Sequence, residues 1–236
     1  HISRYYGDHC AVDDLSFSVS RGEVLGFLGP NGAGKSTSMQ IICGVLAASD
    51  GNVSVAGHDI IDEAKLAKQH IGFLPEQPPL YTDLTVDEYL KYCGRLRKIS
   101  SNNITSSLAN CKERCGLNDA GGRLISNLSK GFQQRVGIAQ AIIHSPSVVI
   151  LDEPTSGLDP IQIVEIRSLI SELSEDHSVI LSTHILSEVQ SSCDRVLIIN
   201  RGKLVLDESM LSLQGDSKHS CCIVALQKPP LLEELE

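Results

Sequence analysis

Residues Gly29, Pro30, Asn31, Gly32, Ala33, Gly34, Lys35, Ser36 and Thr37 fit the pattern GxxxxGK[ST]. Glycines at 29, 32 and 34 let the backbone turn its N–H groups inward. With the N-terminus of a following helix, those groups bind phosphate. Lys35 can reach the outer phosphates of a nucleotide, and the Ser36 hydroxyl can ligate Mg2+. A second piece reads Val148-Val-Ile-Leu-Asp-Glu. Four apolar residues make a buried parallel strand that delivers Asp152 to its C-terminal end, where ligands collect in open α/β sheets. Asp152 suits Mg2+, held directly or through water. Glu153 suits a base or a water-positioning group. The third piece is Asn127-Leu-Ser-Lys-Gly-Phe-Gln-Gln-Arg, ahead of an apolar helix. Ser129 can cap that helix and Gly131 leaves its anion-facing end uncovered. Taken alone, this is an ordinary N-cap.

These residues need a sheet with helices behind it. Leu15 to Val19 alternates and Val24 to Leu28 is mostly apolar, so both read as strands, the second feeding the glycine loop. A helix over Lys35 to Leu46 follows, then a short strand at Asn52 to Ala56 closed by a turn at Gly57-His58-Asp59. Ile71 to Leu74 is a strand ending at Pro75. Val86, Tyr89, Leu90, Cys93 and Leu96 then fall at helical spacing, with further helices over about 103–115 and 130–144. The stretch from about 80 to 145 is therefore a helical lobe inserted into an α/β core. The core resumes at Val148 to Leu151, with a helix at about 160–175 and a strand at Val179 to Leu181. A helix near 185–192 and strands at Val196 to Ile199 and Lys203 to Leu206 complete it. The tail, 214–236, is weakly patterned and is broken by Lys228-Pro229-Pro230.

With these motifs in this order and spacing, the chain resembles an ATP-binding cassette (ABC) ATPase from about Arg4 to about Leu213. LSKGF at 128–132 resembles the LSGGQ signature; it departs at Lys130 and Phe132 and keeps Ser129 and Gly131. Asp152 to Asp159 is similar to the family's Walker B and D-loop. The resemblance implies an α/β P-loop NTPase (RecA-like) core with an antiparallel β subdomain and an inserted α-helical subdomain, together forming one nucleotide-binding domain over 1–213. It places His184 at the switch-histidine position and Tyr6, with Tyr5 beside it, where an aromatic stacks on adenine. Asp159 would link two sites across a dimer. A family glutamine that senses the γ-phosphate falls at Gln77 or, aligned on Leu84-Thr85-Val86, at Glu76; either could reach Mg2+ or the attacking water, and Gln77 is assigned the role. The implied ligands are ATP and Mg2+. The implied partners are a second ABC subunit, identical or paralogous, and a separate integral-membrane permease. LPEQPPLY at 74–81 and STHILSEV at 182–189 resemble ATPases of ABC-2-type exporters, of the gliding-motility and multidrug kinds. That places the chain in the cytoplasm, peripheral on the inner face of the plasma membrane.

Composition agrees with a globular domain: 42% hydrophobic and 21% charged residues over 236 positions. No apolar run reaches the roughly 18 residues of a membrane span. A net charge of −9 argues against a general nucleic-acid binder. The eight cysteines include no CxxC pair; Cys111 and Cys115 share a helix face without a second pair, so reduced structural thiols are expected. Three other readings have less support; one, a scaffold with a dead site, is opposed by Lys35, Asp152, Glu153 and His184. A guanine-nucleotide switch would need an NKxD motif, and a translation or DNA-repair ATPase would need a tandem cassette or a long coiled-coil insertion; neither is present in these residues.

Overall fold

A computed structural model describes residues 1–215. The reading of the tail as a weakly patterned 214–236 segment, together with Cys221 and Cys222, lies outside them apart from Gln214 and Gly215.

The central sheet has six strands in the order β11-β10-β3-β9-β8-β7. They are β3 (Val24–Leu28), β7 (Ile71–Leu74), β8 (Val148–Asp152), β9 (Ser178–Thr183), β10 (Arg195–Asn200) and β11 (Lys203–Ser209). All neighbours are parallel except the β10–β11 hairpin. Alternation along these strands divides the core in two. Val24, Val149, Leu151, Val179 and Leu181 point into a cluster shared with the helical lobe. Leu25, Phe27, Ile150 and Ile180 point to the opposite face, against Met39, Ile41 and Leu197. Both faces are covered, so the strands read as unbroken apolar runs.

A second, antiparallel sheet, in the order β2-β1-β4, pairs β1 (Ile2–Tyr6) with β2 (His9–Leu15) and with β4 (Asp50–Gly51). The strand expected over Leu15 to Val19 is not formed; the ladder runs over His9–Leu15 instead. Phe17 and Val19 still pack on the core, which accounts for the alternation, but they have no strand to pair with. The polar His9, Asp13 and Asp14 hid β2, although they face away from that core. The turn after the next short strand also moves. β5 (Ser54–Val55) and β6 (His58–Asp59) form a hairpin around Ala56 and Gly57, at φ 53° and 84°. Two left-handed residues suit a tight hairpin, so His58 and Asp59 are strand, not turn. Helix α1 (Lys35–Ile42) stops four residues short of Leu46, at a left-handed Gly44. The six-residue α2 (Ala64–Gln69) was too short for periodicity to reveal.

Between β7 and β8 the chain is helical: α3 (Val86–Leu96), α4 (Ile104–Arg114) and α5 (Lys130–Ile142), with 3-10 turns at Asn118–Ala120 and Ile125–Asn127. Thr85 and Glu88 close a capping box on α3, which fixes its start. The core continues with α6 (Pro160–Leu173), α7 (Leu186–Ser192) and α8 (Met210–Gly215). The six cysteines in the described residues are all unpaired, and burial pushes the Cys111 and Cys193 thiols up to about 12.

His144, just past α5, has Nε2 3.1 Å from Ile71 O, while its buried Nδ1 has no partner. Burial, then the Arg97 cation, lowers its pKa from 6.5 to about 4. The unfolded chain therefore protonates this ring near 6.5, while the folded chain resists until about 4. Its contribution is intact above 6.5 and is lost as pH falls towards 4. Between pH 7 and 5, unfolding free energy from denaturant titrations should drop more in the native chain than in His144→Gln, by on the order of 1 kcal/mol.

Candidate functional site

The glycine loop joins β3 to α1. Gly34 caps α1 with φ 103°, and a Cβ there would run into Ala11 O of β2. Only glycine lets the loop sit this close to the antiparallel sheet. The hairpin turn of β10–β11 braces the same loop, with Gly202 N donating to Ala33 O at 2.8 Å. Lys35 is buried, and its ammonium donates to Gly29 O at 2.7 Å.

Strand β8 brings Asp152 level with Ser182 of β9. Glu153 follows with φ 49°, in the left-handed region, anchored by its N–H on Ser182 O at 2.9 Å. That uncommon backbone turns its side chain back over the sheet edge. Oε1 of Glu153 lies 3.5 Å from Lys35 Nζ, a Coulombic contact too long to count as a hydrogen bond. Oε2 meets His184 Nδ1 at 2.9 Å. A carboxylate partner assigns the proton of the neutral ring to Nδ1. His184 is half exposed, whereas Glu153 is buried, so one side chain faces entering solvent and the other is sheltered.

A cavity of about 560 Å³ opens over these groups. The loop contributes Asn31, Gly32, Gly34, Lys35, Ser36 and Thr37 to its wall, and Glu153 and His184 lie on the facing side. Its size is within the usual range for a bound small molecule. Tyr6 lies at the mouth with the Arg4 guanidinium 4.8 Å from its ring centroid; Tyr5 is not part of the wall. His9 and Ser156 also line it and were not singled out in the sequence. Ser156 lies inside the Asp152–Asp159 stretch, but nothing about His9 stood out, because its strand went unread. A larger cavity of about 910 Å³ lies elsewhere, between α2 and the helical lobe, and holds none of these groups.

Of the two residues offered for the family glutamine, Glu76 lines both the loop cavity and an adjoining one of about 400 Å³, while Gln77 lines only the second, with Lys130, Gln134 and Ser156. Gly29, Pro30 and Ala33 shape the loop without lining the cavity. Nor do Ser129, Gly131 and Asp159 line it. Ser129 caps α5 through Phe132 N, at 3.4 Å. Gly131 packs so closely on Gln162 of α6 that a Cβ would lie 2.6 Å from that side chain. Asp159 caps α6, accepting from Ile161 N and Gln162 N at 3.0 and 2.9 Å.

The site can be tested for a hard cation. Oδ1 of Asp152, at the C-terminal end of β8 and outside the cavity wall, is buried without a hydrogen-bond partner, and Ser36 on the wall offers a hydroxyl oxygen. No group of three His, Cys, Asp or Glu side chains gathers among the described residues. One carboxylate and one hydroxyl, with phosphate and water completing the shell, fit Mg2+ rather than a fully caged metal.

The family model described as ABC transporter matches residues 12–156, which span the loop, the α5 signature and Glu153. The chain belongs to the ABC transporter ATP-binding family. An uncharacterised ABC transporter ATP-binding protein of Bacillus subtilis (strain 168), YhcH, is 42% identical over 82% of this chain and 63% of its own length. The bacitracin transport ATP-binding protein BcrA of Bacillus licheniformis is 38% identical over 86% of this chain and 66% of its own. This ABC chain thus spans just under two thirds of those two relatives. Among solved structures, cbiO1 of Clostridium perfringens, part of the ABC transporter complex cbiONQ, superposes with TM-score 0.82 at 28% identity. That match covers 92% of this chain and 89% of the other. The ABC cassette here binds and hydrolyses ATP. No helix among the described residues is long and apolar enough to cross a membrane.

Proposed function

We propose that the chain drives export through a separate membrane permease of the ABC-2 type, working as a head-to-tail dimer with ATP held between the subunits. The contact of Glu153 with both Lys35 and His184 at the loop cavity carries this reading. Glu153 polarises the attacking water, Lys35 holds the γ-phosphate oxygens, and the Nδ1–H of His184 is shared between Glu153 and those oxygens as charge builds. Asp152 and Ser36 hold Mg2+, which when bound neutralises charge on the phosphate oxygens. Glu76, on the cavity wall, takes the role expected of Gln77 and reports phosphate occupancy to the helical lobe. Tyr6 stacks on the adenine. Ser129 and Gly131 serve the partner's nucleotide, and Asp159 sits where the two sites meet. Export is supported by the likeness to the bacitracin transport protein and by the exporter-like 74–81 and 182–189 stretches. On this reading the chain works in the cytoplasm, at the inner face of the plasma membrane.

The permease docks on the membrane-facing side of the helical lobe. The cleft between α2 and the α3–α4 junction is lined by Lys65, Lys68, Arg97 and Lys98, with no carboxylate in its wall, in a chain of net charge −9. An acidic permease segment fits it. The test is co-expression with an ABC-2-type permease, sought first in the reading frames that flank this chain. The native pair should co-purify in detergent, and Lys65→Glu with Lys98→Glu should lower recovery about tenfold while ATPase activity of the isolated subunit is kept. Equal recovery would refute the docking site, and no complex with any such permease would refute transport.

A further inference from the structure

Glu188, in the first turn of α7, is only 1% exposed. A carboxylate that deep must be hydrogen-bonded and must have a counter-charge nearby. Three different segments supply them. Thr155 Oγ1 donates to Oε1 at 2.6 Å. Thr183 Oγ1 donates to Oε2 at 2.7 Å. Arg167 Nη2, on α6, stands 4.0 Å from Oε1. Thr155 and Thr183 are themselves buried.

The two threonines matter for where they lie in the chain. Thr155 is two residues beyond Glu153, in the turn that leaves β8. Thr183 ends β9 and immediately precedes His184, and its hydroxyl also accepts from Ile185 N at 3.1 Å, on the far side of that histidine. None of Thr155, Thr183 and Glu188 lines the loop cavity. One carboxylate thus ties together, from beneath, the two segments whose side chains meet above it in the 2.9 Å Glu153–His184 contact.

We propose that Glu188 is a positioning residue for ATP hydrolysis, fixing the spacing of Glu153 and His184 through its paired bonds to Thr155 and Thr183. This rests on the roles proposed above for Glu153 and His184. Hydrolysis depends steeply on such spacing: a displacement near 1 Å costs about 100-fold in rate. ATP binding does not depend on it in the same way, because the loop and Lys35 are braced by β2 and the β10–β11 turn instead.

Thr155→Val and Thr183→Val remove one hydroxyl each and keep the shape, whereas Thr155→Ser and Thr183→Ser keep the hydroxyl. With Glu188→Gln, these purified variants would be compared for kcat, KM for ATP and melting temperature, at a temperature where all are folded. The expected result is a kcat about tenfold lower in each Val variant, with KM within about twofold, and native kcat in each Ser variant. Glu188→Gln should lose kcat alone, and by more than either Val variant. A merely structural role would move the melting temperature without splitting kcat from KM. Native kcat in the Val variants, equal loss in Ser and Val variants, or a change confined to KM would each overturn the proposal. Glu153→Gln, run in parallel, separates the two levels. If it hydrolyses ATP normally, the assignment of Glu153 fails. If it stops while the Val variants run at native rate, only the positioning role fails.

Discussion

Glu153→Gln is expected to bind ATP at least as tightly as the native chain and to hydrolyse it at least about 100-fold more slowly. The amide keeps the shape, and its oxygen can still accept from His184 Nδ1, now 2.9 Å from Oε2. What disappears is the negative charge that polarises water. That charge also repels the γ-phosphate, so losing it favours the ATP-bound state. Lys35, buried 3.5 Å from Oε1, loses its carboxylate and gains the phosphate as its counter-charge. The variant should therefore accumulate as an ATP-bound dimer. Phosphate release measures the first effect, and size-exclusion chromatography with and without ATP measures the second. Native turnover would exclude Glu153 as the water-activating group.

The second large effect concerns how many chains make one site. Ser129 and Gly131 do not line the cavity that holds Lys35 and Glu153. If they serve the partner's ATP, two different dead subunits can complement each other. Lys35→Ala disables the loop. Ser129→Asp keeps a good N-cap on α5 and sets a negative charge against phosphate. Each homodimer should lose about 100-fold or more in turnover. Co-expressed, the two chains form heterodimers in which one site pairs a native loop with a native signature. Random assortment then restores about a quarter of native activity, since half the dimers carry one intact site of two. A site complete within one chain predicts no gain over the separate variants, and that result would refute the shared arrangement.

Much of this is legible in the sequence. The strands β3, β7 and β8 announce themselves because both faces are covered and each is an apolar run, broken only by Asp152 at the end of β8. Asp152 and Glu153 sit at the end of one such strand, and Lys35 and Ser36 open the helix that follows another, so motif and sheet agree. What stayed hidden lacked a periodic signal. His9–Leu15 alternates only loosely, because it carries extra, bulged residues opposite β1 and its outer face is polar. The choice between Glu76 and Gln77 turned on one residue of loop register, which spacing does not fix. Glu188 gave no sign at all: an acid in a first helical turn looks like a response to the helix dipole. Only the two threonines pressed against it, one at the end of β9 and one in the turn after β8, reveal it as buried.

The place of β3 in the sheet has one more consequence. It lies between β9 and β10, both from the last third of the described chain. A chain emerging from the ribosome as far as residue 156 already carries the whole matched family segment, GPNGAGKST included. It still lacks both strands that hold β3. Parallel pairing between segments so far apart is slow and contributes nothing until the intervening chain is closed. The loop thus becomes a nucleotide site only once β9 and β10 have paired with β3, though it is made well before either. ATP, which binds only the finished sheet, then acts by mass action to hold that late state together.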